Sequence, residues 1–148
     1  MLTAGETLHR VTTFLLLACL AVCIGVTVYL AVSPKVGERF TEFYILGPSG
    51  KAEGYPTKLV LGGSGKVIIG IVNHEYEAVT YRIVVTLDNE TITTIENIKL
   101  SHEEKWEQNL TFTPQKAGDK MKLEFLLYRE GVKEPYRTLH LWITVLQY

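Results

Sequence analysis

Two short runs carry the residue types that perform hydrolytic or metal chemistry. Asn73-His74-Glu75 and His102-Glu103-Glu104 each set an imidazole beside carboxylates, the combination a general base or a zinc ion needs. The spacing does not complete a site. Neither His is followed by a second His four residues on, so the HExxH arrangement, with two imidazoles on one helix face, is absent. The expectation is that Asn73 and His74 fix a turn through side-chain to backbone bonds. A metal or catalytic cluster of His74, Glu75 and His102 is the weaker alternative. The reading is therefore of a protein with no catalytic residues, no metal, no cofactor and no enzymatic activity.

The other motif-like stretches read as structure. Gly62-Gly63-Ser64-Gly65 opens no helix and lacks a Lys-Ser/Thr partner, so it is a hairpin turn rather than a phosphate cradle. It also fails the GxSxG spacing of a nucleophile elbow. For binding, the candidates are large amphipathic groups of the kind favoured at interfaces: Phe43, Tyr44 and Tyr55 beside a turn cluster, and Trp142 beside His140. With Asn73, His74 and Glu75 these make a candidate interaction surface. Against it, Phe43, Tyr44 and Tyr55 would fill a sheet edge or rest against lipid headgroups, and Trp142 would face the rim of a second sheet. Asn89-Glu-Thr91 and Asn109-Leu-Thr111 are N-glycosylation sequons if they face the outside.

Those residues need elements to position them, and the chain divides early. Residues 11–33 carry no charge and are followed at once by Pro34. About 23 residues at about 1.5 Å each give roughly 34 Å of helix, enough to cross a hydrocarbon core of about 30 Å. The run is longer than a signal-peptide core, and Pro34 would sit just after the small-x-small site at residues 31–33, so a retained anchor is expected. Residues 1–10 read as a short polar tail. Arg10 on one side and Lys35 and Arg39 on the other nearly balance the positive-inside count, and the sequons tip the reading to a C-terminal domain outside the cell. Cys19 and Cys23, four apart on one helix face, are the only cysteines. They read as small apolar residues, with lipidation or an intermolecular disulfide as alternatives. Ala21 and Gly25 form a small-xxx-small pair, a weak helix-association signal.

A linker of residues 34–39 spans roughly 20 Å even when extended, which would hold the displayed domain near the membrane. From Phe40 the hydrophobic period becomes two. Strands are expected at residues 40–46, 57–61, 66–73, 79–87, 91–100, 106–113, 121–128 and 139–145, with turns at 47–50, 62–65, 88–89 and 131–135. Val67, Ile69 and Ile71 alternate with Ile68 and Val72, as in a strand at the centre of a sheet. Residues 79–87, 121–127 and 139–145 each give one apolar row. No soluble helix is evident. The pattern predicts an all-β fold, an immunoglobulin or fibronectin-III-like antiparallel β-sandwich of about seven strands over residues 40–148, preceded by one transmembrane helix. It would be disulfide-free.

Fifteen Lys and Arg against 16 Asp and Glu leave the chain near neutral. No basic stripe is present for nucleic acid, and no polybasic run beside the helix for anionic lipid.

The segments FTEFYILGP (40–48), GKAEGYP (50–56) and GIVNHE (70–75) resemble a family of mostly archaeal membrane proteins known only as a domain of unknown function. The resemblance covers most of the displayed domain. It implies an extracytoplasmic β-sandwich on an archaeal membrane and supplies no catalytic residues. Longer members look as though they carry several transmembrane helices before this domain. The functional expectation is a non-enzymatic, membrane-anchored binding module whose partner is an envelope protein or a glycan. The alternative is an accessory subunit of a larger membrane complex.

Overall fold

The computed structural model describes residues 3–148. The chain forms two compact units that divide between Gly37 and Glu38.

The first unit is one helix, α1 (Ala4–Val32). It begins seven residues before the uncharged stretch, so residues 4–10 are helical rather than a polar tail; Met1 and Leu2 lie outside the described residues. The reason is local. The Thr3 N–H donates to the Glu6 carboxylate at 3.2 Å, which caps the helix start, and Glu6 lies in the first turn, where a negative charge is favoured. Thr12, Thr13 and Thr27 donate their hydroxyls to the carbonyls of Leu8, His9 and Cys23, so none carries an unpaired hydroxyl into an apolar medium. Ser33 leaves the helix with extended backbone (φ −63°, ψ 128°), because Pro34 disfavours the helical conformation in the residue before it. No side chain of α1 is buried, and the helix is long and apolar enough to cross a membrane.

The second unit is a β-sandwich of eight strands: β1 (Phe40–Leu46), β2 (Lys58–Val60), β3 (Gly65–His74), β4 (Val79–Leu87), β5 (Glu90–Leu100), β6 (Lys105–Phe112), β7 (Gly118–Arg129) and β8 (Arg137–Leu146). A three-stranded sheet runs β1-β3-β6 and a five-stranded sheet runs β2-β8-β7-β4-β5. The strand expected at residues 57–61 is β2, and with it the count is eight rather than about seven. This three-residue strand lies parallel to β8 (Lys58 opposite Thr144), so the sandwich is not wholly antiparallel. Every other pairing is antiparallel.

The alternating rows meet between the sheets. Val67, Ile69 and Ile71 of β3 face Tyr81, Ile83 and Val85 of β4, Leu123, Phe125 and Leu127 of β7, and Ile143 and Val145 of β8, all at most 2% exposed. Burial of each large side chain contributes about 1.5–3 kcal/mol, which makes this row the main support of a unit without disulfides. β3 is the central strand of its sheet, which accounts for its second apolar row: Ile68 and Val72 are half-buried on the outer face. The β4–β5 hairpin closes through Asp88 (φ 47°) and Asn89 (φ 68°), two consecutive left-handed residues whose twist matches the strands. β1 begins, and β3 ends, at one end of the sandwich, where Phe40 pairs with His74. β4, β6 and β8 also start there and β5 and β7 finish there. We call this the near end.

Candidate functional site

The inward parity of β3 does not stop with its apolar residues. Counting by twos from Val67 leads through Ile69 and Ile71 to Asn73 and then Glu75, respectively 0% and 3% exposed. Here, at the near end, the chain crosses from one sheet to the other. Asn73 fixes the crossing. Its Oδ1 accepts the Glu75 N–H at 2.8 Å, and its Nδ2 donates to the Glu77 and Leu100 carbonyls at 2.7 and 2.8 Å. Its own backbone is paired with the loop before β6, through Glu104 O at 3.1 Å and Glu103 N at 2.6 Å.

Glu75 then extends between the sheets. One carboxylate oxygen accepts the Thr41 hydroxyl at 2.8 Å and the Tyr136 hydroxyl at 2.6 Å. The other lies 3.9 Å from Arg129 Nη1, while Arg129 Nη2 holds Glu77 at 3.3 Å. Thr41 has one proton and gives it to Glu75, so Tyr81, at 2.7 Å, donates to the Thr41 oxygen. The hydroxyls run Tyr81 to Thr41 to Glu75, with Tyr136 arriving from the other side. Burial would raise the Glu75 pKa. The hydrogen bonds from Tyr136 and Thr41 and the charges of Arg129 and Arg137 outweigh it and hold the carboxyl below its ordinary value. Burial and the Glu75 charge push Tyr136 up, and burial pushes Tyr81 up. Both directions keep the phenols protonated and donating. Thr41 belongs to the three-stranded sheet, whereas Tyr81 and Arg129 belong to the five-stranded one. The cluster is a polar clasp between sheets, and among the described residues every buried side-chain nitrogen and oxygen has a partner.

The residues singled out in sequence are not gathered in one place. His74 points outward, with Nε2 3.0 Å from Glu42 and its ring stacked on Phe40 at 4.6 Å. Glu75, next in sequence, points inward. His102 accepts the Tyr76 N–H at Nδ1 (3.1 Å), stacks on the Tyr76 ring at 4.3 Å and lies 3.6 Å from Glu103. The grouping of His74, Glu75 and His102 is thus separated by the alternation of the strand. No group of three or more His, Cys, Asp or Glu among the described residues is placed to hold a metal ion.

Phe43, Tyr44 and Tyr55 likewise do not share a surface. Phe43 has the inward parity of β1 and packs on the core. Tyr44 has the outward parity. Its ring lies across Gly70, where a Cβ would collide with it, and its hydroxyl donates to Glu107 two strands away. Lys105 bonds the same carboxylate at 2.9 Å. The Tyr44 hydroxyl and then Lys105 hold Glu107 below its usual range. Tyr55 donates to the Ile45 carbonyl at 3.0 Å, bracing the edge of β1. All three are engaged in contacts within the fold.

Trp142 is different. It is 55% exposed on the outer face of β8, opposite Lys122, with His140 edge-on at 5.7 Å. The same outer face carries half-buried Val84, Leu126 and Tyr128, and Arg82 lies over the Tyr128 ring at 4.6 Å. Towards the near end a cavity of about 470 Å³ is lined by Arg82, Asn97, Arg129 and Lys133, among others. Asn89, at the tip of the β4–β5 turn, and Asn109, on the outward parity of β6, are both exposed. Sequence reasoning missed Thr41, Arg129 and Tyr136 and treated Tyr81 only as core. The available signal was parity: Thr41, Asn73 and Glu75 are polar residues at inward positions.

With this geometry established, residues 34–144 match the model of a family described as a domain of unknown function (DUF1616). No curated protein matches. Among solved structures, the CARDB domain of a Pyrococcus furiosus protein is similar in solution, at 10% identity over 74% of this chain and 98% of that one, with a TM-score of 0.54. Its crystal structure, in complex with di-metal ions, gives 10% identity, 77% and 98% coverage and a TM-score of 0.55. A Listeria innocua beta-glucosidase bound to laminaribiose gives 18% identity over 76% of this chain but 17% of that one, with a TM-score of 0.50. At these identities the likeness concerns the fold: the second unit is an immunoglobulin-like sandwich of the CARDB kind.

Proposed function

We propose that this chain, which belongs to the DUF1616 family, is a single-pass, membrane-anchored binding module of the archaeal cell envelope. Its sandwich lies outside the cytoplasm and acts without catalysis. The observation that carries the reading is Trp142, held more than half exposed on the outer face of β8, near the edge of the five-stranded sheet, rather than in the core. Trp, Tyr and Arg dominate the energetics of interfaces, and this face offers Trp142 with His140 and, farther along towards the near end, Tyr128 with Arg82. The clasp supports the same reading by its closure: its hydroxyls and carboxylate are engaged with one another, which suits a rigid platform. The partner is an envelope protein or a glycan, met on the face around Trp142.

Cross-linking mass spectrometry on the protein in its native membrane tests this. Lys58 and Lys122 flank the face, opposite Thr144 and Trp142 respectively. Reproducible cross-links from both to one other protein, lost in Trp142→Ala, are the expected result. An interface Trp contributes about 2 kcal/mol or more, so the variant should recover at least about thirtyfold less partner. Cross-links confined to the chain, together with unchanged glycan binding in Trp142→Ala, would overturn the reading.

A further inference from the structure

The near end of the sandwich carries large apolar and aromatic side chains that stay partly exposed. Phe40, Tyr76 and Val132 are 39%, 41% and 48% exposed. They come from three separate places: the first residue of β1, the β3–β4 crossing, and the turn between β7 and β8. Two of them are actively fixed. Phe40 is stacked on His74, and Tyr76 on His102. Tyr76 stands at φ 60°, a strained conformation for a residue with a side chain that persists only where the surroundings enforce it. The bonds from Asn73 to Glu75 and Glu77, and from the Tyr76 N–H to His102, enforce it here.

The length of chain before this end is known. α1 finishes at Val32 and β1 begins at Phe40, so the intervening seven residues reach at most about 25 Å. β7, with twelve residues, makes the sandwich roughly 35–40 Å long from one end to the other. The headgroup layer on each side of a bilayer is about 5–8 Å deep.

We propose that the near end is a lipid-contact surface, with Phe40, Tyr76 and Val132 resting in the headgroup layer of the membrane that α1 crosses. This rests on the reading of α1 as an anchor. Amphipathic rings are favoured at that depth. The rim has no basic excess to hold anionic lipid: Lys105, Arg129, Lys133 and Arg137 share it with Glu42, Glu77, Glu103, Glu104, Glu130 and Glu134, and Arg129 and Lys105 are paired with Glu77 and Glu107. The contact is therefore apolar and aromatic, requires no anionic lipid, and is insensitive to salt.

The test uses the full chain in phosphatidylcholine nanodiscs. Cys19 and Cys23 are its only cysteines, so a Cys19→Ser, Cys23→Ser background accepts single fluorescent labels at Ala78→Cys and Val132→Cys on the near end, and at Gln115→Cys at the far end. A further protein keeps Cys23 alone to report on the helix. The expected result is strong quenching of the Ala78 and Val132 labels by headgroup-attached quencher, equal at low and high salt, with the Gln115 label unaffected. Adding Phe40→Ser and Tyr76→Asn should bring the Ala78 signal down to that at Gln115; Asn tolerates the left-handed backbone. If the Cys23 label is quenched by acyl-chain quencher while Ala78 is quenched no more than Gln115, the proposal is overturned and the anchor stands. Ala78-to-Ala78 disulfide cross-linking in that case assigns the surface to a second copy. If the Cys23 label is not quenched either, the anchor fails and the proposal with it.

Discussion

Changing Glu75 to Ala should cost the sandwich about 3 kcal/mol, and changing it to Gln about half as much. The carboxylate accepts two hydroxyls at 2.8 and 2.6 Å and is 4% exposed. Hydrogen bonds to a charged group contribute about 1.5–3 kcal/mol each, giving roughly 3–6 kcal/mol for the pair. The lower end applies because Arg129, at 28% exposure, regains water when its partner goes. Gln keeps an acceptor for both hydroxyls but loses the charge and turns towards the Arg129 guanidinium. Urea unfolding of the full chain in micelles, followed by fluorescence of half-buried Trp106, reads the change as a shift of midpoint at constant slope. In thermal unfolding, Glu75→Ala should lower Tm by roughly 10–20 °C. Acid separates charge from shape. The folded carboxyl is held below its ordinary value of 4.5, so the unfolded chain takes up the proton first. The stabilisation from this group is fully present above that value and is lost as the pH falls through the lower, folded one. The gap between the natural protein and Glu75→Gln should therefore close below about pH 4.5. A Gln variant as stable as the natural protein at neutral pH, or a gap that persists unchanged into acid, would refute the reasoning.

Asn73→Ala removes two donations to backbone carbonyls and the bond that fixes the crossing; it should cost about 2–3 kcal/mol and speed hydrogen exchange at residues 75–78. Gly70→Ala should destabilise by about 1–3 kcal/mol because the Tyr44 ring occupies the space. Most of that cost should vanish in a Tyr44→Ala background, a coupling that a double-mutant cycle measures directly. Asn89→Gly should leave stability unchanged or raise it slightly, since Asn89 stands at φ 68° and Gly suits that backbone. It would also abolish any glycan-dependent mass shift at that sequon.

The strands were legible because one physical variable, the period-two burial row, governs them. Residues 79–87 and 121–127 show the row plainly, and their odd-numbered members all lie in the core. β2 was legible as a short strand between turns, but its parallel pairing with β8 was not, because three residues leave no periodic trace of a partner. The start of α1 was missed because charge marked the boundary in sequence, whereas a polar residue in the first helical turn is a capping feature. The clasp was invisible for a different reason. Its members, Thr41, Glu75, Tyr81, Arg129 and Tyr136, are dispersed across five segments, and only the pairing of the sheets brings them together. Their types, Thr, Tyr and Arg, are ordinary on any surface; what distinguishes Thr41 and Glu75 is inward parity. The same alternation undid the imidazole–carboxylate grouping, since adjacent His74 and Glu75 must face opposite ways.

That alternation also ties the inside of the near end to its outside. Thr41 points in, and Phe40 beside it points out; Glu75 points in, and Tyr76 beside it is left on the rim. Arg129 closes the clasp three residues before Val132. The polar contacts that join the two sheets therefore lie one residue from the exposed rings, which His74, His102 and the bonds of Asn73 hold in place. Trp142 lies outside this unit. It belongs to β8, whose lower half is fixed by Ile143 and Val145 in the core, so the broad face around it should keep its geometry when the clasp is weakened. The sandwich thus carries two surfaces with separate supports: a rim positioned by the Asn73 bonds and by the stacked rings of His74 and His102, and a sheet face positioned by apolar packing.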